Sequence, residues 1–162
     1  MRVQVRAAAL SNYAEVARPL GLNPNRMLRE MGLSARVLSE PDIPVSAAKV
    51  VRLLEASAQK SGCMTFGLRM AELRRLCDLG ALSLLLTYQP TLRDIFSLII
   101  RYRDLLNEAL AINMEDSGQF VIVREELLTE STPAARQSHE LAVGTIFRLC
   151  RVVLGPVGSL TV

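Results

Sequence analysis

Tryptophan is absent, and aromatic residues together make up 4% of the 162 residues. The core must therefore be assembled from Leu, Val, Ile, Ala and Met. Histidine is nearly missing as well, with His139 alone, and the three cysteines, Cys63, Cys77 and Cys150, lie too far apart for a Cys-x-x-Cys site. That spacing argues against a zinc set and leaves the thiols as reduced, structural groups. No apolar run reaches 18 residues, and the opening MRVQVRAAALSNYAEVARP carries no long apolar stretch. Neither a secretory signal nor a membrane span is expected, and the chain reads as cytoplasmic.

No single sign of charge dominates either. Nineteen basic and 16 acidic residues give a net charge of +3, and the basic stretches at 69–75 and 101–103 have acids beside them, Glu72 and Asp104. Such faces read as solvated helix surfaces with local ion pairs rather than as a nucleic-acid or membrane surface. The Gly-x-Ser-x-Gly, His-Glu-x-x-His and phosphate-cradling Gly-rich motifs are missing. The expectation is a protein that is not an enzyme and has neither cofactor nor metal. His139, in RQSHELAV near the start of a long helix, reads as a partly exposed helix residue, with contact to an effector or to a haem iron as the alternatives.

What is present is a change of period along the chain. The first 45 residues read as short helices, one from Leu10 to about Leu20 and a second opened by Asn23 as N-cap with Pro24 at the first helical position, ended by Gly32. Pro41 and Pro44 make an extended connection, and Ser46 caps a third helix with Ala47, Val50, Val51, Leu54 and Ala58 on one face, stopped by Gly62. Thr65 starts a shorter helix, and Gly80 precedes ALSLLLTY, apolar enough to predict burial on most sides. Thr91 and Asp94 resemble a capping box, opening a helix whose stripe is Leu92, Ile95, Phe96, Ile99, Tyr102 and Leu106. From Ala109 the alternation becomes two-residue: Leu110, Ile112 and Met114, a turn at Glu115 to Gly118, then FVIVR, a β-hairpin. Thr132-Pro133 opens the longest helix, with Leu141, Ala142, Thr145, Ile146, Leu149 and Val153 inward, until Gly155-Pro156; residues 157–162 look like a further strand. The fold class expected is α+β in a single domain spanning 1–162, a helical N-terminal half followed by an antiparallel hairpin or sheet packed against long helices.

One segment imitates a DNA reader. RMLREMGLSARVLSE has two short helices around a Gly turn, but Pro41 stops the second after about six residues, too short to present several side chains to a major groove. Met27, Leu28, Met31, Leu33, Val37 and Leu38 read instead as an apolar seam.

Taken in order, RMLREMGL at 26–33, DIPVSAAKVVRLLEASAQKSGCMTFGLRMA at 42–71, DLGALSLLLTYQPTLRDIFSLIIRYRDLL at 78–106 and ELAVGTIFRLCRVVLGP at 140–156 resemble the N-terminal, so-called arabinose-binding domain of AraC-type bacterial transcription regulators. The most specific stretch combines two glycines taken as turn residues, Gly67 and Gly80, with the Pro90-Thr91 cap and the Arg101-Tyr102 pair. The resemblance implies a domain that receives a small-molecule effector or sets dimerisation, with DNA bound only through a C-terminal pair of helix-turn-helix units lying beyond this sequence. It also implies that this chain is a fragment of its own domain and works as a homodimer. No sugar ligand is inferred from the family label.

For an effector lodged between a central sheet and the helices beside it, the candidate lining residues are Phe66, Phe96, Ile99, Tyr102, Phe120, Ile122, Ile146 and Phe147, with Arg101 or Arg124 as anchors for a carboxylate. Each apolar member has plain core packing as its competing reading, and each arginine a place on the surface. Two further classes stay open: an interaction module that dimerises without a ligand, and an enzyme without a familiar motif.

Overall fold

A computed structural model describes residues 3–128 and 134–154. In chain order the elements are β1 (Gln4–Arg6), a 3-10 turn at Ala7–Leu10, α1 (Tyr13–Ala17), α2 (Pro24–Glu30), a 3-10 turn at Ala35–Leu38, and β2 (Pro44–Ser46). They continue with α3 (Ala47–Ser61), α4 (Phe66–Glu72), a 3-10 turn at Leu76–Leu79, α5 (Leu82–Leu86), α6 (Leu92–Arg101), α7 (Arg103–Leu106), β3 (Leu110–Asp116), β4 (Val121–Leu127) and α8 (Arg136–Leu154). The α+β class and the helical first half agree with the sequence reading.

The caps explain where several helices begin and end. Asn23 accepts the Arg26 N–H at 3.1 Å with Pro24 in the first turn, and Thr91 accepts the Asp94 N–H at 3.1 Å while its hydroxyl donates to the Asp94 carboxylate at 2.5 Å. These satisfy N–H groups that a helix start otherwise leaves unpaired. Gly62 ends α3 with φ +69°, a left-handed conformation that costs glycine nothing. The seam around the helix-turn-helix look-alike is buried as expected: Met27, Leu28, Leu33 and Val37 join the core and Met31 and Leu38 pack against it. Its second element is only a four-residue 3-10 turn.

Several expectations are corrected. The first helix is split into a 3-10 turn and a five-residue helix, with Asn12 in the left-handed region at φ 66° between them. The extended connection at Pro44 is a strand, pairing antiparallel with Gln4–Arg6 in a register that sets Val5 opposite Val45. Three residues hold too short a period to be read as a strand in isolation. No central sheet forms among the described residues. β1 and β2 make one ribbon, β3 and β4 another, and a single bridge from Val5 to Asn107 joins the first to the chain entering the second. The second ribbon runs on through Asp116, so its turn lies at Ser117 to Phe120, where Ser117 N–H donates to the Phe120 carbonyl at 3.0 Å. The stripe begun on α6 is interrupted at Tyr102, and Leu106 belongs to α7. Helix α5 buries only Leu82 and Leu86, leaving Leu84, Leu85 and Tyr88 at 69, 49 and 84% exposure. Composition made it look buried all round, whereas a helix this short meets its neighbours on one face. The expected cap at Thr132-Pro133, the stop at Gly155-Pro156 and the strand at 157–162 lie outside the described residues.

Burial divides into two clusters. The larger joins the N-terminal elements with α3 and α4, around Leu10, Tyr13, Leu28, Leu53, Leu54, Phe66 and Met70. The smaller joins α5, α6, β3 and the far part of α8 through Leu82, Leu86, Ile95, Ile99, Ile112 and Leu149. Helix α8 is common to both and packs most extensively on α4. Two glycines let these helices approach: a Cβ on Gly67 would stand 2.0 Å from the Gln137 carbonyl oxygen, and one on Gly144 2.7 Å from the Ala71 Cβ. Gly67 is therefore a packing glycine inside α4 rather than the turn glycine expected; Gly80, at φ +64°, is a turn.

Candidate functional site

The two clusters do not close completely on each other. Between them lies a partly open, predominantly apolar cavity of about 180 Å³. Its cause is legible in residue size: Ala8, Ala9, Ala47, Ala109 and Ala142 line it, where longer side chains would fill the gap, and Val50, Leu54, Ile99, Ile112, Ile146 and Leu149 complete its apolar wall. Helix α8 runs along one side from Ser138 to Leu149, about 16 Å at 1.5 Å per residue. An apolar cavity of this order is large enough to hold a benzene-sized molecule, since one of roughly 150 Å³ does so.

Polar groups at the wall are few. Arg6, Arg74, Arg75, Asp78, Asn107, Ser138 and Thr145 supply them. Most are engaged elsewhere: Arg6 is held by Asp42 through Nε at 3.0 Å and Nη2 at 2.5 Å, Asp78 accepts the Arg75 N–H at 2.9 Å, and Thr145 donates to the Leu141 carbonyl at 2.6 Å. Two of their buried atoms are not engaged. Arg74 Nε and Ser138 Oγ are buried without a hydrogen-bond partner among the described residues, a condition rare enough in folded proteins to require an explanation. The rest of the Arg74 guanidinium donates to the carbonyls of Ala8 and Ala9, each at 2.5 Å. Burial pushes its pKa below the ordinary arginine value, an effect the charge of Asp78 opposes.

Of the ten residues singled out in the sequence, Ile99 and Ile146 line this cavity. Phe66 is fully buried in the first cluster, against Tyr13 with ring centroids 5.7 Å apart, and Phe96 is buried on α6. Tyr102 packs at the edge of the second cluster beneath Arg101, whose guanidinium lies 5.8 Å from its ring centre. Phe147 is half-buried on α8. Phe120 and Ile122 are 64 and 38% exposed at the hairpin end, and Arg124 is on the surface, paired with Glu115 at 3.0 and 3.2 Å. Ile122 was expected to line the site, but it falls on the outward register positions of β4 with Arg124 and Glu126, while Val123, Glu125 and Leu127 are the half-buried ones. The reading from sequence missed Arg74. Its only signal was position, a basic residue just after an apolar helix and with no acid four residues before it.

His139 does not line the cavity. Its Nδ1 lies 2.6 Å from Glu125 Oε1, tying α8 to β4. Cys63 and Cys150 are buried and Cys77 exposed, all as free thiols, and no cluster of three or more metal-ligating side chains occurs among the described residues. No helix there is long and apolar enough to cross a membrane.

Comparison with known proteins adds to this geometry. The family model of the arabinose-binding domain of AraC transcription regulator, N-term, matches residues 21–162. The chain is similar to the HTH-type transcriptional regulator VirS of Mycobacterium tuberculosis, in strains CDC 1551 / Oshkosh and ATCC 25618 / H37Rv, 30% identical over 154 residues in each. The match covers 94% of this chain and 45% of the relative. The chain thus spans about half the length of the curated relatives it matches.

Proposed function

Since the chain belongs to the family of N-terminal arabinose-binding domains of AraC transcription regulators, a family of regulatory domains and not of enzymes, we propose that it receives a small, largely apolar effector in the cavity between its two hydrophobic clusters. One observation carries the reading: a space of about 180 Å³ walled by alanines and branched aliphatic side chains, between two clusters in which Leu10, Leu54, Phe66 and Ile95 are almost completely buried. Ligand pockets are typically apolar with few, placed polar groups. The cavity touches β1, α3, α6, β3 and α8 at once, so an occupant would couple the N-terminal elements to the hairpin and the last helix. DNA binding and the transcriptional output belong, in this proposal, to a further domain beyond the present sequence.

The test is nuclear magnetic resonance of the methyl-labelled protein with toluene and with indole. Saturable shifts centred on Ile99, Ile112, Ile146 and Leu149, abolished when Ala142→Phe fills the space, support the reading. Absence of shifts with both probes would sink it.

A second reading is a domain that pairs with another copy of itself and takes no ligand. Leu84 and Leu85 on α5 and Tyr88 just beyond it, all exposed, favour it, because such apolar surface gains by being covered. Sedimentation equilibrium separates the two: a dimer weakened by Leu84→Arg, in a protein silent to both probes, selects this reading.

A further inference from the structure

The cavity's polar equipment is unbalanced in sign. Three arginines, Arg6, Arg74 and Arg75, are among the residues at its wall, against the single acidic residue Asp78. Arg6 is neutralised by Asp42, and Asp78 spends a carboxylate oxygen on the Arg75 backbone. Arg74 is left with no carboxylate hydrogen-bonded to it among the described residues. Its two terminal nitrogens reach only the carbonyls of Ala8 and Ala9, and its Nε–H is buried with no acceptor.

An arginine has five N–H donors in a planar fork. Two are used here, and neutral carbonyls cannot compensate a buried cation as a carboxylate does. Asp78 acts on it only through space, opposing the effect of burial without a hydrogen bond, so a carboxylate bonded directly to the guanidinium would still be favourable. The remaining wall is aliphatic, so an inorganic anion would be poorly accommodated: it would satisfy Arg74 and leave the apolar space unfilled. A molecule that presents a carboxylate at one end and hydrocarbon for the rest satisfies both.

We propose, resting on the reading of the cavity as an effector site, that the effector is a small apolar monocarboxylate whose carboxylate is held by Arg74 while its hydrocarbon part lies among Ile99, Ile112, Ile146 and Leu149. Ser138, the other unpartnered polar residue at the wall, lies on the first part of α8, whereas Arg148, ten residues further along, donates to the Arg74 carbonyl at 3.2 Å. About 15 Å of helix separates Ser138 from the residue that meets the Arg74 main chain, and in this proposal Ser138 is not the group that holds the carboxylate.

The experiment compares a matched acid and alcohol, 3-phenylpropanoate and 3-phenylpropan-1-ol, by isothermal titration calorimetry near neutral pH, with toluene shifts as a control for the cavity itself. The acid is expected to bind at least about tenfold tighter than the alcohol, the scale of a charge-assisted pair, and Ser138→Ala is expected to keep that ratio. Arg74→Gln is expected to abolish the preference. Because Arg74 also ties down Ala8 and Ala9, the variant counts only if its circular dichroism matches the parent, and the comparison on the unaltered protein stands without it. If the alcohol binds as tightly as the acid, or neither binds while toluene still shifts the cavity methyls, the carboxylate assignment is overturned and the apolar site survives. If toluene and indole are silent too, both are overturned.

Discussion

The side-chain oxygen of Gln137 accepts the backbone N–H of Gly67 at 2.8 Å, and the same glycine faces the Gln137 carbonyl so closely that a Cβ would lie 2.0 Å from it. Gln137 Nε2 also donates to the Met64 carbonyl at 2.9 Å, and its own N–H to Glu55 Oε1 at 2.7 Å. One buried residue at the start of α8 therefore fastens α3, the loop before α4, and α4 itself.

Gly67→Ala sets a methyl group against main chain that cannot rotate away, so we expect a loss of about 2 to 3 kcal/mol, the scale of overpacking a tight contact. Gln137→Leu leaves the Gly67 N–H and the Met64 carbonyl buried and unpaired, and a loss of about 2 to 4 kcal/mol follows from the usual cost of such groups. Urea denaturation followed by circular dichroism measures both. Either variant unfolding at the parent's midpoint would show that α4 and α8 do not depend on this contact.

Tyr13 and Ser57 share a buried hydrogen bond of 2.8 Å, and Ser57 Oγ donates to the Leu53 carbonyl at 2.7 Å. The serine proton is thereby committed, so the tyrosine is the donor. Tyr13→Phe removes that donor and leaves Ser57 satisfied, at an expected cost of about 1 kcal/mol. Ser57→Ala strands a buried phenol and should cost about 1 to 3 kcal/mol. The order is the test: equal stabilities, or the reverse order, contradict the assigned direction.

Burial raises the pKa of Tyr13 above its ordinary value of 10.0 and raises that of Cys150 above 9.0. A raised value in the folded state means that the folded protein holds the proton to higher pH than the unfolded chain does. The stability linked to each group is intact below its unfolded pKa and declines as pH rises through that value toward the folded one. Stability is therefore expected to fall from about pH 9 upward, and to fall less steeply above about pH 10 in Tyr13→Phe. Denaturation midpoints measured between about pH 8 and pH 11 decide it; a parent and variant with parallel profiles would remove Tyr13 as a contributor.

The helix-turn-helix look-alike at 26–40 turns its apolar side chains into the core, and Arg36, the only base of its second element, is bound to Glu40 at 2.7 Å. We expect this chain to bind duplex DNA only as weakly as its charge dictates, with strong salt dependence and no preference among sequences. Tight, sequence-selective mobility shifts at physiological salt would contradict this.

The sequence by itself determined the local structure. Asn23-Pro24, Thr91 with Asp94, and Gly62 act within one turn of chain, and the two-residue alternation from Leu110 has a short-range cause, so each was legible without a fold. The α+β class followed from the same signals. Only the tertiary structure decided which apolar residues became wall and which became core. Ile99 and Phe96 are both apolar and stand on one helix, yet Ile99 alone of the two borders the cavity, whose wall includes alanines from segments as far apart as Ala8 and Ala142. The exposure of Leu84 and Leu85, the pairing of Gln4–Arg6 with Pro44–Ser46, and the close crossing at Gly67 have the same origin. Each depends on a neighbour tens of residues away, and so does the setting of Arg74, whose guanidinium is held by the carbonyls of Ala8 and Ala9 rather than by a carboxylate.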